Sequence, residues 1–157
     1  MPKNVTVGTE IFEIPIQGEN PDWGEEVTDW IVAISDQVSN ILGTYDIPNT
    51  TFTLANNQAV AASITGFAFS TTFVRAFQAD YFIERDTDSS TKVTESGILY
   101  GNYNSEDGSW DLNQEAVGDA GITFSITGAG QIQYTSTDIS GGSYTGQIKF
   151  SATTTQA

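Results

Sequence analysis

From residue 49 onward, apolar and polar side chains alternate with the period of two that is typical of β-strands with one buried face. The longest alternating run is 73–85, where Gln78, Asp80 and Glu84 occupy positions between mostly apolar neighbours. Two further strand-like runs follow at 92–103 and 109–112 after turn signals. Together the three runs predict a three-strand meander. Further alternating runs cover 51–55, 60–69, 122–126, 132–134 and 144–153. About eight short strands separated by turn signals predict a mainly β fold, an antiparallel β-sandwich.

Glycines and short polar stretches mark where these strands bend or end. Gly66 interrupts the run 60–69 and predicts a bend or bulge. Gly128-Ala129-Gly130 offers the positive-φ residues of a tight turn between 122–126 and 132–134. We expect the polar tail, residues 154–157, to be frayed.

Residues 21–42 show the three- and four-residue spacing of apolar side chains that is typical of an α-helix. Apolar side chains recur there at spacings of three and four, and they are Trp23, Val27, Trp30, Ile31, Ile34, Val38 and Ile41. Pro21 suits the first turn of a helix, acidic residues follow where the helix dipole favours anions, and Gly43 suits the end. The pattern predicts one amphipathic α-helix about 30 Å long.

An extended arm precedes this helix. Residues 4–16 form two short extended pieces, and Phe12, Ile14 and Ile16 share one face of the second. Pro15 removes a backbone donor, so the piece is an edge strand or an arm that lies on a neighbour. The chain therefore divides into residues 1–48, the arm plus the helix, and residues 49–157, the β-sandwich domain.

The charge balance excludes several partners. Twenty acidic residues face five basic ones, for a net charge of −15. Such a surface repels nucleic-acid phosphates and anionic lipid. No segment is apolar for the length of a membrane span, and the N-terminus lacks the apolar core of a signal peptide. We expect synthesis in the cytoplasm and no contact with nucleic acid or membrane.

The absence of cysteine and histidine removes thiol and imidazole chemistry, including the common zinc ligands. A carboxylate pair could still act, but no pair of acids stands out with supporting residues. The acidic loops at Asp86/Asp88 and Glu106/Asp107 lack the calcium-loop pattern, so we expect solvated turns. The composition thus predicts a protein that is not an enzyme and that has no cofactor.

Two roles are open for the apolar stripe of the helix. It covers the protein's own β-sandwich, or it docks on another subunit, where tryptophan is enriched among the residues that dominate binding. For the second role the candidate partner-binding residues are Phe12, Ile14, Trp23, Val27, Trp30 and Ile34. An alternative function is a lectin-like module, in which Tyr100, Tyr103 and Trp110 stack on a sugar ring.

Four stretches resemble small virion structural proteins of tailed bacteriophages, namely head-decoration and tail-associated proteins. They are NPDWGEEVTDW, YDIPNTTFTLANNQ, GDAGITFSITGAGQIQYTST and SYTGQIKFSATT. The resemblance implies a β-sandwich accessory protein that coats a capsid or forms part of a tail or fibre. On that basis we expect a capsid decoration (cement) protein that binds the major capsid protein or other virion proteins through its N-terminal segment, as a homo-oligomer. The alternative is a tail- or fibre-associated virion protein.

Overall fold

The computed structural model describes the backbone of residues 3–7, 10–14, 29, 31–35, 45–88 and 92–157, and their side chains from residue 29 onward. The chain forms two compact units, residues 1–44 and residues 45–157. We call them the N-terminal unit and the β-domain. The predicted boundary between residues 48 and 49 stays a prediction; residues 47 and 48 begin a strand of the β-domain.

In the N-terminal unit, strands β1 (Lys3–Val7) and β2 (Glu10–Ile14) pair antiparallel, with Phe12 opposite Val5. The two predicted extended pieces therefore pair with each other. Residues 29 and 31–35 are helical and lie within the predicted helix 21–42. The rest of the predicted helix, 21–28, 30 and 36–42, lies outside the described residues.

Within residues 45–88 and 92–157, eight strands form two antiparallel sheets. The strands are β3 (Ile47–Thr53), β4 (Ala62–Ala68), β5 (Val74–Asp86), β6 (Val93–Asn104), β7 (Ser109–Gly118), β8 (Ile122–Ile126), β9 (Gln131–Ser136) and β10 (Thr145–Gln156). One sheet has the order β3-β10-β5-β6-β7 and the other the order β4-β9-β8. The mainly β, two-sheet fold and the 73–112 meander are confirmed.

The core lies between the inner faces of the two sheets, where aromatic rings from opposite sheets meet. Phe67 of β4 stacks on Phe150 of β10 with ring centroids 4.1 Å apart. Tyr81 of β5 meets Phe124 of β8 edge-on at 5.1 Å. Because these offset and edge contacts add to the burial of large apolar area, they stabilise the pairing of the sheets.

Two local predictions have opposite outcomes. Gly66 has a φ of 82°, and the β4–β9 register breaks between Ser63 and Ala68, so the predicted bulge is confirmed. The predicted frayed tail is wrong, because residues 154–156 belong to β10. The amide of Thr154 donates to Asp46 Oδ1 at 2.7 Å, and the amide of Ala157 donates to the Phe73 carbonyl at 2.8 Å. These bonds hold the tail to the sheet.

Candidate interaction surfaces

The described helix of the N-terminal unit presents apolar side chains to solvent. Ile31 is 58% exposed, Val32 52% and Ile34 36%. Of the six predicted partner-binding residues, Ile34 is thus accessible, and Phe12 and Ile14 lie in β2, of which only the backbone is described. Trp23, Val27 and Trp30 lie outside the described residues.

The three aromatic residues of the alternative sugar site do not form one exposed platform. Trp110 is only 8% exposed and faces the core, where it packs beside Tyr103 with ring centroids 5.1 Å apart. Tyr100 lies opposite Asn113 and alternates with the buried Leu99, so it faces the outer side of the five-stranded sheet. The Trp110 indole N–H is buried and has no hydrogen-bond partner among the described residues.

One carboxylate of each acidic loop accepts a hydrogen bond from its own loop or from a neighbouring one. Asp88 Oδ1 accepts the amide of Gly142 at 2.7 Å. In the second loop Asn104 Nδ2 donates to Asp107 Oδ2 at 2.6 Å. Among the described residues, no three acidic side chains are grouped as a metal ion would require.

At the end of the β-domain where β5 finishes, a buried arginine connects four segments. Arg85 is fully buried, and its guanidinium donates to the carbonyls of Ala120 and Thr137. It also donates to Asn56 Oδ1 at 2.9 Å and to the Tyr144 hydroxyl at 3.0 Å. Because the planar fork of arginine offers five donors, one side chain fixes all these loops.

A buried carboxylate lies on the adjacent strand. Glu95 is 5% exposed and accepts from the Tyr81 hydroxyl at 2.7 Å, from Gln114 Nε2 at 2.9 Å and from the Ala120 amide at 2.9 Å. Ala120 therefore bonds to Glu95 through its N–H and to Arg85 through its carbonyl. The two buried charges hold the same loop, 119–121, which joins the two sheets.

These ionisable groups are arranged for structure. Burial first, and the hydrogen bond to Glu95 second, raise the pKa of the Tyr81 hydroxyl above its usual value, so Tyr81 stays a neutral donor. An open groove of about 390 Å³ lies over Arg85, but the guanidinium already donates to protein acceptors. The arrangement holds the loops in position.

Sequence reasoning missed Arg85 and Glu95, although a signal existed. Position 85 continues the odd positions of the run 73–85, which face the core at Tyr81 and Ile83. A charged residue in phase with buried neighbours predicts a buried, fully bonded charge.

The raised Tyr81 pKa predicts a stability that falls in alkali. An unfolded chain ionises tyrosine near pH ~10, whereas the folded protein keeps Tyr81 protonated beyond that. The stabilising contribution is therefore complete below about pH 10 and is lost as the pH rises, by up to ~1.4 kcal/mol per pH unit. Urea unfolding at about pH 9 and pH 11 should show a shallower decline for Tyr81→Phe than for the parent. Equal declines would contradict the prediction.

No helix among the described residues is long and apolar enough to cross a membrane. No protein-family model and no curated protein sequence matches the chain. Among solved structures, the tailspike protein of the Acinetobacter phage vB_ApiP_P1 is similar to it, with 14% sequence identity and a TM-score of 0.35. The similarity covers 69% of this chain and 19% of the tailspike chain. A TM-score at this level establishes neither a shared fold nor a shared function.

Proposed function

We propose that the chain is a non-enzymatic structural protein of a tailed-bacteriophage virion, and that its N-terminal unit attaches it to another virion protein. The observation that supports the proposed attachment is the exposure of Ile31, Val32 and Ile34 on one short helix. Adjacent apolar side chains that are open to water gain free energy when a partner covers them. The four stretches that resemble phage virion proteins support the virion setting.

The chemistry of the β-domain supports a structural role. Its buried charged groups, Arg85 and Glu95, are bonded within the fold. The acidic surface suits many copies at high local concentration, because like charges keep neighbouring copies soluble. The partner in this proposal is the major capsid protein or another virion protein, the protein forms a homo-oligomer, and neither nucleic acid nor membrane takes part.

Substituting the exposed helix residues tests the attachment. The full chain with Ile31→Ser and Ile34→Ser should co-sediment at least about tenfold less with particles that lack the endogenous protein, because the loss of two apolar anchors removes ~2 kcal/mol or more of binding. Trp30→Ala should act in the same direction. Val60→Ser is the matched control, since Val60 is 75% exposed but lies in the β-domain. Undiminished binding by the double variant would contradict the attachment.

The copy number per particle distinguishes the two placements. A number that matches the capsid subunits, with density on the head surface in electron cryo-microscopy, supports head decoration. A few copies, with density on the tail, support a tail or fibre protein. Absence from purified particles would contradict the virion proposal altogether.

A further inference from the structure

The two sheets of the β-domain have four outer strands, β3, β7, β4 and β8, and three of them are poor templates for another strand. In β3, Pro48 lacks an amide, and the pairing with β10 shifts register between Phe150 and Ala152. In β4, the pairing breaks at the bulge around Gly66. The third, β8, is five residues long. Proline, bulges and short length are the devices by which proteins protect sheet edges.

Strand β7 has none of these protections. All ten of its residues pair with β6 in one unbroken register, from Ser109 to Gly118. It contains no proline, no lysine and no inward-facing charge. Residues 113–118 are exposed on both faces of the sheet. Because only one side of an edge strand is paired, alternate backbone amides and carbonyls of β7 face outward without a strand partner in the β-domain.

The side chains on the outer face of β7 determine which side chains an added strand can place opposite them. Asp111, Asn113, Glu115 and Val117 point to the outer face, and Val117 is 78% exposed. Phe82 of β5, 41% exposed, lies on the same outer face, and Ser96 of β6 lies between it and Val117. An added strand would place its own side chains directly opposite these positions, where unlike charges stabilise the pairing and like charges destabilise it.

We propose that β7 is a docking edge for an extended segment of another protein that presents lysine or arginine opposite Asp111 and Glu115 and an apolar side chain opposite Val117. Binding by strand addition takes affinity from main-chain hydrogen bonds and specificity from alternate side chains. The proposal is independent of the N-terminal attachment, because it concerns residues of the β-domain alone.

A second copy of this chain does not meet these requirements. Strand β7 contains no lysine or arginine, so no register of two β7 strands sets a basic side chain opposite Asp111 or Glu115, and antiparallel pairing about Asn113 sets these two acids opposite each other. Parallel pairing in register sets each acid opposite itself. Each copy also carries a net charge of −15. Charge complementarity therefore selects a basic partner segment over self-association.

A designed peptide tests the edge. The probe is Val-Thr-Lys-Thr-Thr-Val-Lys with blocked ends, which in antiparallel register sets lysine opposite Glu115 and Asp111 and valine opposite Val117 and Leu112. Its control has glutamate in place of both lysines. In NMR titrations of the full chain, the lysine peptide should shift the amides of residues 111–117 and slow their hydrogen exchange, and the glutamate peptide should not.

Two charge variants distinguish pairing of the peptide with the edge of β7 from a general attraction between the basic peptide and the acidic protein. Glu115→Lys should weaken the lysine peptide about tenfold, because it replaces an attraction across the strands with a repulsion, and it should strengthen the glutamate peptide, because it replaces one of that peptide's two repulsions with an attraction. Asp80→Lys changes the net charge equally, but Asp80 is exposed on β5, two strands from the edge, so it should leave binding near the parent value. Glu115 is also exposed, and neither substitution disturbs the core.

Four results would overturn the proposal. The first is that neither peptide perturbs β7. The second is that shifts spread evenly over the acidic loops. The third is an equal weakening by Asp80→Lys and Glu115→Lys, which indicates non-directional electrostatics. The fourth is a dimer of the chain alone in sedimentation with β7 amides protected, which makes a second copy the occupant.

Discussion

Replacing Arg85 with methionine should lower the free energy of unfolding of the β-domain by about 4 kcal/mol. Methionine fills much of the same space, but it cannot donate to the carbonyls of Ala120 and Thr137 or to Asn56. Each buried acceptor left without a donor costs about 1–3 kcal/mol. Glu95 still accepts the amide of Ala120, but the carbonyl of the same residue loses its bond to Arg85. The loop around Ala120 is then held on one side only. Urea unfolding followed by tryptophan fluorescence measures the change.

Arg75→Met is the matched control for this experiment. Arg75 donates from Nη1 to the carbonyls of Thr71 and Val74 and lies over the Tyr103 ring, but it is only half-buried. Water can replace its bonds, so we expect a loss of about 1 kcal/mol or less. Arg85→Lys should recover little stability, because a point charge cannot serve the acceptors that the fork reaches. A loss for Arg85→Met as small as that for Arg75→Met would contradict the role of Arg85.

Replacing Gly130 with alanine should destabilise the β-domain by at least about 2 kcal/mol. Gly130 ends the turn between β8 and β9 with a φ of 84°, a conformation that residues with a Cβ rarely adopt. A Cβ there would also overlap the carbonyl oxygen of Phe69, which is backbone and cannot rotate away. The Phe69 amide donates to the Gly130 carbonyl at 2.9 Å, so a shift of the turn breaks a hydrogen bond between the turn and the residue that follows β4.

The same turn offers its own control in Gly128→Ala. A Cβ at Gly128 would find its nearest neighbour, the Gly108 carbonyl oxygen, at 3.6 Å, which is ordinary contact. Its φ is not positive, so we expect a change within about 0.5 kcal/mol in either direction. Thermal and urea unfolding of the two variants, measured side by side, shows whether the loss of stability is specific to position 130 or follows from any glycine-to-alanine change in this turn. Equal stability of both variants would show that the turn adapts.

The strands of the β-domain were predictable because each buries one face. Alternation at 73–85 and 122–126 matches β5 and β8 within about a residue, and the consecutive meander follows from short turns. The pairing of β10 between β3 and β5 was not predictable, because residues far apart in sequence meet there without a local signal. The tail joined β10 for the same reason: its bond to Asp46 spans 108 residues.

The candidate sites show the same division. Ile34 was found from its helical spacing and is accessible in the structure. The alternative sugar-binding hypothesis made Trp110 one of three sugar-facing rings, but the period of β7 places it inside, opposite Tyr103. The unpaired edge of β7 could not be predicted from the sequence, because the order of the strands in the sheet decides which strand lies at an edge. Its acids look like any others in a chain with twenty of them.

The neighbouring positions of β3 and β10 make the β-domain's response to mechanical force depend on direction. Ile47 lies opposite Ala152, and Asp46 bonds to Thr154, so the start of the domain and the end of its last strand lie side by side. Tension that separates Tyr45 from Gln156 opens the hydrogen bonds one after another, like a zipper. Tension between Tyr45 and the far end of β5 runs along the strands and loads many bonds together. The domain is thus soft against peeling at one corner and stiff along its length.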